Sequence, residues 1–106
     1  MPILFQYIGD QFSEYGSLGT ATAGFGFKIK EGTSAKMGTV VLTAGTMVVP
    51  NTSVTATSRI FLTAQAPGGT PGALYVSARA AGTSFTIKST SASDTSTVAY
   101  LIVDPS

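Results

Sequence analysis

"RIFLTAQAPGGTPGALYVS", residues 59–77, is two apolar, β-rich runs joined by a loop built almost entirely from Gly, Pro, Thr and Ala. In the first run Ile60 and Leu62 oppose Phe61, an alternation with the two-residue period of a strand. Two prolines and three glycines in "APGGTPG" (66–72) then break the chain, because these residues set turn geometry and cannot continue a ladder. The second run, "ALYVSAR" (73–79), reads as the next strand. The loop between them offers no acid, no base and no metal ligand. Strand, rigid turn and strand point to an all-β domain whose most elaborate loop has no chemistry of its own.

The same pattern extends on both sides. Upstream lie "TVVLT" (39–43), "MVV" (47–49) and "SVTAT" (53–57); downstream lie "TSFTIKS" (83–89) and "STVAYLIVD" (96–104). This spacing predicts a small antiparallel β-sandwich or jelly-roll-like barrel. No segment holds a 3.6-residue apolar period long enough for a stable helix. Residues 38–106 are read as the β domain and residues 1–37 as an irregular N-terminal arm, a docking or attachment segment. The arm is rich in Gly and aromatics, with Phe5, Tyr7, Phe25 and Phe27 as candidate contacts, and short strands are predicted at 3–8 and 25–29.

Composition agrees. The chain has 106 residues, one domain's worth. Only 10% are charged and the net charge is +1, against about 25% charged in typical domains. The polar surface is therefore mostly hydroxyl, from 16 Thr and 12 Ser, and threonine suits extended strands. Nucleic acid is not an expected partner, since phosphate binding needs clustered Lys and Arg. The six basic residues are dispersed, and Glu31 sits among Lys28, Lys30 and Lys36. No apolar stretch approaches the roughly 20 residues of a membrane-spanning helix, so no membrane is expected either. The start, "MPILFQYIGDQ", lacks a basic n-region and does not read as a signal peptide.

The chemistry of catalysis is missing. The chain contains no His and no Cys, which removes the commonest general base, the commonest zinc ligands and the thiol nucleophile. The acids are Asp10, Glu14, Glu31, Asp94 and Asp104, with no pair placed on a patterned scaffold as glycoside cleavage requires. "GFGFK" (24–28) lacks the third Gly and following helix of a dinucleotide site. In "SASDTS" (91–96) a lone carboxylate is too little for calcium, and Asp94 is expected to form an Asx turn with the backbone two residues on. No enzyme, metal or cofactor is expected.

What remains points to contacts. "TVAYLIVD" is apolar on both sides: Val98, Tyr100 and Ile102 on one, Ala99, Leu101 and Val103 on the other. A strand apolar on both faces must be covered twice, and oligomerisation is the simpler way to do so. Arg59 and Arg79 flank the central loop unit, and arginine is the cation favoured at interfaces. Tyr75 and Tyr100 complete the candidate contact residues.

Residues 38–39, 51–63, 69–77, 81–87 and 94–99 carry a further signal: "NTSVTATSRIFLT", "GTPGALYVS", "AGTSFTI" and "DTSTVA" occur in order. This series resembles a β domain that recurs in structural proteins of tailed bacteriophages, often at the C-terminal end of fibre-like virion proteins. The resemblance covers roughly residues 37–105, with Asp104 where the family commonly has Glu. It implies a non-enzymatic β-sandwich assembling as a homotrimer in the virion. The expected function is capsid decoration: a cement protein made in the host cytoplasm that binds the major capsid protein on the assembled capsid surface and stabilises the head. The alternative is a tail fibre or receptor-binding tip that meets tail proteins and a host receptor.

Overall fold

The computed structural model describes residues 19–106. It contains six strands: β1 (Met37–Val41), β2 (Thr46–Pro50), β3 (Arg59–Ala66), β4 (Leu74–Ala80), β5 (Ser84–Ser89) and β6 (Thr97–Val103). They form two antiparallel three-stranded sheets in the orders β1–β6–β3 and β2–β5–β4. Every connection but the β4–β5 hairpin crosses from one sheet to the other. No helix occurs among the described residues. The predicted all-β sandwich is the observed fold.

Its core follows from the two-residue period. Val98, Tyr100 and Ile102 of β6 face Phe85 and Ile87 of β5, with Leu42, Val49 and Val54 completing the buried cluster. Ile60, Leu62, Leu74, Val76, Val40 and Met47 pack around it. The rings of Phe85 and Tyr100 meet edge to face at 5.1 Å and 73°, a favoured aromatic geometry. Gly38 stands opposite Tyr100 in the ladder. A Cβ at that position would come within 2.6 Å of the tyrosine hydroxyl, so the glycine makes room for the ring.

Two predicted strands are not strands. Residues 53–57 form turns, because side chains there take the backbone groups that a ladder would need. Asn51 Oδ1 accepts from the Ser53 amide at 2.9 Å, and Ser58 Oγ accepts from the Thr55 amide at 2.9 Å. Residues 25–29 alternate as a strand would but have no ladder partner among the described residues. The strand predicted at 3–8 lies outside the described residues.

Hydrogen bonding closes each end of the sandwich differently. At one end the loops 42–46, 66–73 and 89–96 meet on Asp94, which is buried. Its Oδ1 accepts from the Ser96 amide at 2.9 Å, the expected Asx turn, and its Oδ2 accepts from the Gly72 amide at 2.9 Å. Its carbonyl accepts from the Gly45 amide at 2.9 Å. Gly69 has φ +58°, and a Cβ there would lie 2.0 Å from the Ser93 carbonyl oxygen, so this loop needs glycine. At the other end Lys36 Nζ donates to Asp104 Oδ2 at 2.6 Å and to the Ser53 carbonyl at 2.8 Å. Ser58 Oγ donates to Asp104 Oδ1 at 2.5 Å.

Candidate functional site

Strand β6 runs down the centre of its sheet, so both of its faces matter. The inner face is core; the outer face presents Thr97, Ala99, Leu101 and Val103. Ladder partners on either side extend this surface. Met37 and Phe61 both stand opposite Leu101, Thr39 and Thr63 opposite Ala99, and Arg59 opposite Val103. The result is a mainly apolar sheet face, with Arg59 at one end, Phe61 58% exposed and Val41 and Val103 also exposed. A shallow depression of about 410 Å³ on it is lined by Met37, Phe61, Leu101 and neighbouring residues, with Glu31 at its rim. Large aromatic and aliphatic side chains on an open sheet face mark an interaction surface rather than a pocket for a small molecule.

The structure distributes the sequence candidates over several places. Tyr100 is only 6% exposed and lies in the core against Phe85, because the inner of β6's two apolar faces is the one that carries it. Arg59 lies at the end of the apolar face, and its guanidinium donates to the Thr57 carbonyl at 2.5 Å. Arg79 belongs to the other sheet. A bulge between Val76 and Ala78 brings it opposite Phe85, yet it stays exposed on the edge strand, a placement that blunts an open edge. Both arginines sit at the end of the sandwich away from the 66–72 loop. Tyr75 is exposed beside Lys88 on the outer face of the β2–β5–β4 sheet. Phe25 and Phe27 are exposed in the segment before the sandwich, and Phe5 and Tyr7 lie outside the described residues.

Phe61, Met37, Leu101, Val41 and Glu31 were not singled out from sequence. The signal for Phe61 and Leu101 was present, since β3 and β6 each read as apolar on both sides. What sequence could not supply was which side the other sheet covers.

Asp94 and Asp104 are bonded into the fold. The hydroxyls of Ser96 and Ser89 and the amides of Gly72 and Ser96 hold Asp94 far below the ordinary carboxylate range. Asp104 is also lowered, by Lys36 first and then Ser58. Neither carries a proton to donate near neutral pH. Among the described residues no group of three His, Cys, Asp or Glu side chains could hold a metal ion, and no helix is long and apolar enough to cross a membrane.

Six strands in two sheets, Asp94 and Asp104 bonded into the fold and one open, mainly apolar sheet face define a small β module. Residues 34–103 match the family model described as "K1 capsule-specific polysaccharide lyase, C-terminal domain". That span is well over half of the chain, and the chain belongs to this family. No curated protein matches it.

Proposed function

We propose that this chain is a non-catalytic, self-associating β module of a bacteriophage tail spike or fibre. The observation that carries this reading is the family match, which is to the C-terminal domain of a lyase rather than to a whole enzyme. The commitment of Asp94 and Asp104 to the fold, and the absence of His and Cys from the sequence, agree with a non-catalytic role. The open face beside β6 supports self-association, and a homotrimer is the state we assign. The match weighs toward the tail and away from capsid decoration, because its name ties the domain to a protein that acts on a bacterial capsule. A surface of threonine and serine hydroxyls suits such an exposed module.

Separated heads and tails of the virion, quantified by mass spectrometry, test this. Co-fractionation with tails in a few copies is expected. Hundreds of copies on DNA-filled heads would return the protein to capsid decoration and away from the tail.

A further inference from the structure

Two apolar surfaces of this chain have no partner among the described residues, and their chemistry fits. One is the outer face of the β1–β6–β3 sheet. The other is the row Phe25, Phe27 and Ile29, which alternates with Gly26, Lys28 and Lys30 as an extended strand with one apolar side would. Phe25 is 74% exposed and Phe27 70%. The radius of gyration of the described chain is 16.4 Å, against about 13 Å for a compact domain of 100 residues, as a projecting segment requires.

Chain direction keeps the two surfaces apart within one molecule. Glu31 makes a parallel bridge to Met37, the first residue of β1. Residues 25–30 therefore run past the end of the sheet instead of along its face. To lie on its own sheet the segment would have to reverse within Lys30; a neighbouring sheet needs no reversal.

We propose that residues 25–29 of one copy lie across the outer face of the β1–β6–β3 sheet of a second copy. Phe25, Phe27 and Ile29 then cover Met37, Phe61 and Leu101. Lys28 and Lys30 turn to the opposite side, within reach of the receiving copy's Glu31 at the rim. The outer face of the β2–β5–β4 sheet is the wrong acceptor: its central strand presents Ser84, Thr86 and Lys88, and Lys88 would repel the two lysines of the segment. Each copy gives one segment and receives one, a head-to-tail contact that closes into a ring. The inference rests on the self-association proposed above.

The chain has no cysteine, so introduced thiols report contacts directly. The mass of the unsubstituted chain in solution is measured first. Chains bearing Phe27→Cys and Thr63→Cys are then co-expressed and mildly oxidised, with Phe27→Cys plus Tyr75→Cys as control. The expected result is an oligomer in which the Phe27→Cys and Thr63→Cys chains join as a disulfide-linked pair in at least tenfold excess over control. An oligomer without that excess overturns the segment's seating and leaves self-association standing. A monomer overturns both. A doubly substituted chain that closes its disulfide within one molecule overturns the exchange between copies. Independently, Phe25→Ser with Phe27→Ser should weaken association roughly 100-fold while the sandwich melts unchanged; unaltered association refutes the proposal.

Discussion

The two sheets of the sandwich share a strand count and an antiparallel order, and their inner faces are equally apolar. Their outer faces part company at the central strand. On β5 the outward positions are Ser84, Thr86 and Lys88; on β6 they are Thr97, Ala99, Leu101 and Val103. The central strand of one sheet is finished with hydroxyls and a charge, as in a solvated antiparallel sheet, beside the exposed Val48 and Tyr75 of its neighbours. The other is finished as though a further layer were to come. A sheet that only has to fold needs one apolar face, and the second apolar face of β6 is the surface that the proposed self-association uses.

That contrast can be broken experimentally at several points. The largest effect is expected inside. Phe85→Ala removes a fully buried ring and should cost about 3–5 kcal/mol in chemical denaturation, whatever the oligomeric state. Next comes Gly38→Ala, which drives a methyl against the Tyr100 ring; overpacking of this kind should cost about 1–3 kcal/mol, with near-ultraviolet dichroism reporting the displaced tyrosine.

The acid limb is subtler. Asp94 and Asp104 titrate lower in the folded chain than their ordinary value of 3.8. Their contribution is thus fully present above that pH and is lost as pH falls through their folded values. Melting temperature should be flat in these two groups from neutrality down to about pH 5 and drop below pH 4. Asp94→Asn should lower the neutral melting temperature by several degrees and flatten the acid limb.

The smallest change in stability is the most telling. Phe61→Ser and Tyr75→Ser alter exposed aromatics on opposite outer faces, and each should leave the monomer's unfolding free energy within about 0.5 kcal/mol. Sedimentation should nevertheless separate them: association weakens for Phe61→Ser and holds for Tyr75→Ser. Equal behaviour would erase the distinction between the faces.

The strands after residue 58 were legible to within a residue or so, because their alternation is strong and Gly or Pro marks their ends. Residues 53–57 misled for a physical reason. Thr and Val favour strands, but Asn51 and Ser58 supply side-chain acceptors that win the backbone locally. Sheet membership was not legible, since alternation says that two faces exist and not which one meets the other sheet. Tyr100 shows the cost: its strand offered two apolar rows, and only Gly38 across the ladder makes room for the ring. The three-loop junction on Asp94 was half legible. Its Asx turn could be expected from the local sequence, whereas its bond to Gly72 joins residues 22 apart.

Lys36 and Asp104, where the chain enters and leaves the sandwich, are held together by an ion pair of 2.6 Å. A fold whose entrance and exit touch can be spliced into a host chain without prising the host apart. The same body could hang from a terminus or interrupt a surface loop with little change to either partner. Portability of this sort is a property of the doorway, not of the surfaces, and here the β1–β6 ladder keeps the doorway narrow, with the lysine and the aspartate across it.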